Sequence, residues 1–395
     1  SACTPWTQRP FARPVAAPLA ALAAADLLSL LAFLHTRASL SLPNLSVRSG
    51  GGLWVTPGHR VMVGPPLVPL PLSSPYPTPS WGTSLEVAPE ARQPGALTTV
   101  ATDAWTLGVF LASICSADGG PVTDAASLRS PPHLPASLTR VYRALLSASP
   151  DKRGKPSKMA GKAVQHPLVD FLTSLETLTL QDAATRDALF SKVGRMIDAG
   201  DVTATFARHE ILPHLLGAVD ATGASGWPLL GAILRCCSGT PAADVAPRLA
   251  PVILRFFGQT DRALRSSLLQ HMDELLAYLS NAQVETDLLP LLCQGFVDSS
   301  PALRELTVKS VLAVAPRLSP KALEAQIVPA LRRMQIDKEP GIRTNTTVCL
   351  GKLAGTLPDS VRQAVLLPLL TRALKDTFAP HRSAGLLALT ATMEY

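Results

Sequence analysis

Aromatic side chains are scarce in this chain, at 5% of 395 residues, and charged ones make up only 16%. Few aromatics together with 36 prolines argue against a single compact sandwich or barrel. They suit a helix-rich array whose turns are punctuated by proline. Low charge beside 47% apolar residues excludes a disordered chain. A Cys-x-x-Cys pair is missing. Cys3, Cys115, Cys236, Cys237, Cys293 and Cys349 lie mostly in apolar stretches, which reads as reduced thiols in a cytosolic protein and leaves structural zinc without ligands. Residues 15–34 form a long apolar run, but Asp26 interrupts it, and neither a basic flank nor a small-residue cleavage site accompanies it. A buried helix is expected there, with no integral membrane span. The net charge of +7 is modest for this length and by itself defines no partner. The first residue is Ser and Tyr395 falls within a helical pattern, so missing ends are expected.

What the chain does have is a repeat. Five segments begin alike, at Ile211, Leu249, Leu288, Ile327 and Leu366, and their prolines Pro213, Pro251, Pro290, Pro329 and Pro368 are spaced 38, 39, 39 and 39 apart. A second register runs beside the first: Arg265, Arg304, Arg343 and Arg382 are spaced by 39, and Asp298, Asp337 and Asp376 each stand six residues before an arginine. Each unit is expected to hold an apolar helix opened by Pro in its first turn, a polar turn carrying the Asp, and a second apolar helix starting near the Arg. In residues 303–318 the apolar positions cover a broad face, so this helix must be buried between neighbouring units. The Arg and Asp columns are expected to form a structural ladder bridging the turns of successive repeats. This pattern resembles HEAT repeats.

Residues 16–167 lack the period, and short motifs appear instead. Asp103, Trp105 and Gly108 stand in Thr-Asp-Ala-Trp-Thr-Leu-Gly, which resembles the D-x-W-x-x-G that opens the large buried helix of a protein-kinase C-lobe. Ala88-Pro89-Glu90 resembles the A-P-E that ends an activation segment, the run from Pro150 to Arg153 resembles D-P-x-x-R, and His166-Pro167 resembles the closing H-P. These roles are architectural. Glu90 and Arg153 are expected to form a buried ion pair, and Asp103 to cap its helix while accepting backbone N–H groups from the loop it supports.

Phosphoryl transfer needs more than this frame: a Lys and a Gly-rich loop on the phosphates, an Asp at the attacking hydroxyl and an Asp on magnesium. Ser41-Leu42-Pro43-Asn44 stands where H-R-D is expected, and Val63-Gly64-Pro65-Pro66 where D-F-G is expected. Only 14 residues precede the first C-lobe-like helix, which leaves no place for an N-lobe within this chain. Gly50-Gly51-Gly52 lacks a following Lys-Ser/Thr and is expected to be a hairpin turn between strands at residues 45–48 and 53–55. His133, His166, His209 and Glu210 have no further ligand at metal or acid/base spacing. No catalytic residue, metal or cofactor is expected. Lys152, Arg153, Lys155, Lys158 and Lys162 form a basic run without interleaved aromatics, read as a solvated segment. The sequons at Asn44 and Asn345 are set aside because no secretion signal precedes them and Asn345 falls in a repeat helix.

A degenerate kinase lobe followed by HEAT repeats resembles the Scy-like pseudokinases, most closely in Asp298 to Ser310, Ile342 to Lys352 and Phe378 to Arg382. The resemblance implies a mainly α fold: a kinase-like C-lobe with a small β-hairpin region at 16–167, then an α-solenoid at 168–395. Residues 1–15 are expected to be a disordered or truncated N-terminus. It implies an inactive scaffold in the cytoplasm, peripheral to Golgi and ER–Golgi intermediate membranes. There it would act in Golgi-to-endoplasmic-reticulum retrograde traffic with the COPI coat or other trafficking proteins as partners. The alternatives are an ATP-binding kinase-domain protein without its N-lobe in this chain, and a tRNA-export adaptor.

Overall fold

The computed structural model describes residues 3–5, 15–43, 45–47, 52–65, 67–77, 85–116, 121–221 and 226–393; Asn44, Arg48, Gly50, Gly51, Pro66 and Tyr395 fall outside these. The chain is mainly helical with two small sheets. It divides into two units, Ser1–Gln181 with Gly200–His214, and Asp182–Ala199 with Leu215–Tyr395.

The first unit is built around α1 (Ala17–Phe33), whose Ala20, Ala21, Ala23, Ala24, Leu27, Leu28 and Leu31 are buried. Alanine costs little side-chain entropy and lets neighbours come close, which suits a helix enclosed on several sides. With the π-helical turn Leu34–Ala38 it makes a segment long and apolar enough to cross a membrane. Here it is a core helix. It packs against α2 (Val100–Ile114), α4 (Ala136–Leu145), α5 (Pro156–Met159) and α6 (Pro167–Glu176), with the short α3 (Ala125–Arg129) against α2. Its one acid is neutralised from within the unit: Asp26 accepts from Arg60 Nε at 2.9 Å and from the Val61 N–H at 2.9 Å.

Strands β1 (Thr4–Pro5), β3 (Leu53–Val55) and β4 (Val61–Val63) form an antiparallel sheet with β3 central, registering Thr4 with Val55 and Trp54 with Met62. Strand β2 (Leu40–Ser41) pairs with β5 (Leu70–Pro71). Two expectations change. The N-terminus contributes a strand at Thr4 and Pro5, and β3 has β4 as its hairpin partner across a turn at residues 56–60, where His59 takes a positive φ of 68°. Residues 45–47 are not a strand. Alternation in that stretch is too short to specify a partner, whereas Val61–Val63 places two β-branched residues in a three-residue strand.

In the second unit the second helices of the repeats pack in sequence: Gly226–Cys237 on Arg262–Gln270, then Pro301–Val314, Pro340–Leu353 and Ala379–Thr392. Val308, Val311 and Val314 are wholly buried between neighbours. The repeat prolines do not open helices. Pro290, Pro329 and Pro368 each sit inside a longer helix, separated by one residue from the preceding π-helical turns Val284–Leu288, Leu323–Ile327 and Arg362–Leu366. A proline removes one backbone donor and crowds the carbonyl four residues back, and the widened turn before it absorbs both effects. Two of these helix starts are capped by serine, Ser280 accepting from the Gln283 N–H and Ser319 from the Ala322 N–H, while the third follows Pro358 without a side-chain cap.

Candidate functional site

Asp103 lies at the centre of the kinase-like motifs, wholly buried in the first turn of α2. The Leu42 N–H donates to Asp103 Oδ2 at 2.8 Å, Ser41 Oγ donates to Oδ1 at 2.7 Å, and His35 Nε2 lies 2.8 Å from Oδ2. The loop that occupies the H-R-D position is thus held by this carboxylate. Asp103 does not cap the helix. Thr99 does, accepting from the Thr102 N–H while the Thr102 hydroxyl accepts from the Thr99 N–H. That capping box frees Asp103 to face the loop. Tyr76 secures the same loop by donating to the Pro43 carbonyl at 3.1 Å; burial, reinforced by the negative charges of Asp103 and Glu90, pushes its phenol pKa up and keeps it a donor.

Ala88-Pro89-Glu90 opens a short 3-10 turn, Pro89–Arg92, and Glu90 receives both terminal nitrogens of Arg153, at 2.5 and 3.1 Å. Arg153 also donates to the carbonyls of Ala101 and Ser147, and its guanidinium lies 5.1 Å from the centre of the Trp105 ring. One planar fork therefore joins the segment before α2, α2 itself and the stretch after α4. Arg153 is consequently withdrawn from the basic run, whose Lys155, Lys158 and Lys162 remain exposed. Trp105 Nε1 donates to the Leu85 carbonyl at 2.9 Å. Gly108 is required by packing, since a Cβ there would meet Leu146 at 2.7 Å. His166 accepts from the Leu168 N–H through Nδ1 and caps α6, directly before Pro167. Every one of these contacts holds structure. At the positions where chemistry would stand, β2 carries Ser41 and β4 is followed by Gly64 and Pro65.

The repeat columns come together as rungs. Arg304 donates through Nε and Nη2 to both oxygens of Asp337, at 2.7 and 3.0 Å, and through Nη1 to the Asp298 carbonyl at 2.9 Å. Arg343 does the same to Asp376, at 2.8 and 2.9 Å, and to the Asp337 carbonyl. Each arginine therefore closes its own turn and grips the next one. Arg343 above all, with backbone and His381 contacts, holds the Asp376 carboxyl well below the usual range. Burial would raise Asp337, but hydrogen bonds from Arg304 and the Glu339 N–H, with the nearby arginine charges, bring it below the usual range. The first rung differs: among the described residues Arg265 reaches only the Gln259 carbonyl, at 3.4 Å, while Arg262 stands 3.6 Å from Asp298. Arg382 closes its own turn on the Asp376 and Thr377 carbonyls.

Several ties were not read from the sequence. His35, Ser41, Tyr76 and the Asp26–Arg60 pair are local in no motif. A second inter-repeat clasp joins Glu285 to the N–H and hydroxyl of Ser319, and Arg317 to the Leu276 and Leu279 carbonyls. The arginines could have been found as isolated cations at helix ends; their partners could not.

The fold and these motifs define a class: a kinase C-lobe-like unit, with only structural motifs retained, joined to a HEAT-type helical array. No protein-family model matches the chain. Within that class the chain is similar to the Scy1-like inactive kinases. It is 28% identical over 183 residues to the probable inactive serine/threonine-protein kinase scy1 of Dictyostelium discoideum, a match covering 46% of this chain and 22% of that protein. Its fold matches the crystal structure of Cex1p with a TM-score of 0.60 at 20% identity, over 95% of this chain and 72% of that one.

Proposed function

We propose that this chain is a catalytically inactive, kinase-like scaffold that serves as an adaptor in vesicle traffic, cytoplasmic and peripheral to Golgi and ER–Golgi membranes, with the COPI coat as partner. The observation that carries the inactive part of this reading is the Asp103 cradle. The carboxylate that supports a kinase catalytic loop is fully engaged, yet the loop it holds is Ser41-Leu42-Pro43. Similarity to a protein named a probable inactive kinase supports the same reading. The adaptor part rests on the Scy-like resemblance and on the extended surface that a stack of helical repeats offers to macromolecular partners. Localisation in cells and recovery of coat subunits in pull-downs test it. Golgi-region staining with coat recovery is expected; a diffuse protein without coat association overturns it. The second reading, a tRNA adaptor, is favoured by the exposed Lys155, Lys158 and Lys162 and predicts RNA binding that falls steeply with salt.

A further inference from the structure

Helix α4 and residues 151–165 enclose a cleft of about 560 Å³ in the first unit. Arg140, Lys155, Lys158 and Lys162 line it against a single carboxylate, Asp151. Arg153 borders it too, but its charge is answered by Glu90. All four cations are exposed, and among the described residues none of them is in an ion pair. In the wall of the cleft Ser137 Oγ is buried and has no hydrogen-bond partner among the described residues. A buried hydroxyl left unsatisfied costs stability, and four like charges around one concavity repel each other, so the fold alone accounts for neither.

We propose that this cleft binds a compact anion bearing several phosphates, the chemistry of a phosphorylated inositol ring, whether free or as a lipid headgroup. Three features select that chemistry. The cations come from two sides of a concavity and not along an open face, so they converge on a small ligand and focus a positive potential inside it. Apolar side chains, Val141 and Met159 among them, line part of the cleft beside the cations, which lowers the local dielectric and strengthens each charged contact. Among the described residues no aromatic side chain lines the cleft for base stacking and no strand borders it to pair with an extended peptide, which sets it apart from single-stranded RNA and acidic-peptide sites. Rotation about the Cα–Cβ bond of Ser137 turns its buried hydroxyl into the cleft, where it donates to a phosphate oxygen, and the lysines supply rotatable point charges. The site is independent of the trafficking role proposed above.

The test uses the full chain and calorimetric titration with inositol hexakisphosphate, beside flotation on phosphatidylcholine vesicles with and without a phosphatidylinositol monophosphate. Saturable binding is expected, weakening as salt rises. Lys155→Glu with Lys158→Glu should reduce affinity by about tenfold or more. Arg140→Gln with Lys162→Gln gives a milder loss should the reversal disturb folding. Ser137→Ala should weaken binding while the melting temperature holds or rises, whereas a purely structural hydroxyl would leave binding unchanged. Stronger binding to phosphoinositide vesicles than to the free anion identifies a lipid source, and the reverse a soluble one. No binding of either probe, or equal binding by the neutralised variants, overturns the proposal, as does capture of RNA alone by these residues.

Discussion

Asp26 shows how one residue sets the character of a helix. An acid in the middle of an apolar segment is tolerable in a core when a cation and a backbone donor meet it, and Arg60 and the Val61 N–H do so. Burial first of all raises the Asp26 pKa, while Arg60 and the Val61 N–H pull it back. Arg60→Ala leaves burial unopposed by the cation. We expect a loss on the order of 2 kcal/mol in urea unfolding at neutral pH, below the value for a sealed pair because Arg60 is 34% exposed. An acid whose folded pKa lies above its unfolded value destabilises the fold when ionised. The variant should therefore recover stability as pH falls from neutral through the raised folded value, and Asp26→Asn in the same background should recover it at neutral pH. Equal stability of Arg60→Ala and wild type would show that the pair contributes nothing. Asp26 was conspicuous in the sequence; Arg60 was not, because 34 residues and the β3–β4 turn separate them and only the folded turn brings them together.

At the scale of elements, the repeat period and its two columns were fully legible, but the position of the helix starts was not. Proline is common in the first turn of a helix, so Pro290, Pro329 and Pro368 invite that placement; the π-helical turns before all three, with serine caps at Ser280 and Ser319, put the starts earlier. The rungs predict a graded response. Arg304→Ala should cost about 1.5–3 kcal/mol, since it removes a two-pronged charged contact between repeats. Arg265→Ala should cost clearly less, since among the described residues Arg265 contacts only a carbonyl, at 3.4 Å. Equal losses in paired thermal melts would refute the ladder. The pH dependence follows from Asp337 and Asp376, whose folded pKa values are lowered. Carboxylates of this kind contribute stability that is fully present above the unfolded value of roughly 3.9 and is lost as pH falls through the folded values. Urea midpoints of Arg343→Ala should accordingly depend less on acid than those of wild type; an unchanged acid limb would contradict this.

For the whole molecule, a run of architectural motifs without chemical ones separates a kinase-derived frame from a kinase. Asp103, Glu90, Trp105, Gly108 and Arg153 were legible because each motif is short and ordered along the chain, and the structure places them around α2. The helper residues His35, Ser41 and Tyr76 were not legible, because nothing in their neighbours marks them as loop supports. A frame so fully committed to internal contacts is expected to present surfaces and to leave phosphate chemistry to other proteins. The most direct measurement of that claim is thermal unfolding of the chain with magnesium and ATP, together with a phosphate-transfer assay. In the Lys155→Glu, Lys158→Glu variant, where the basic cleft no longer holds polyphosphates, the account predicts no shift in melting temperature and, in either chain, no transfer; a saturable, magnesium-dependent shift in that variant would contradict it.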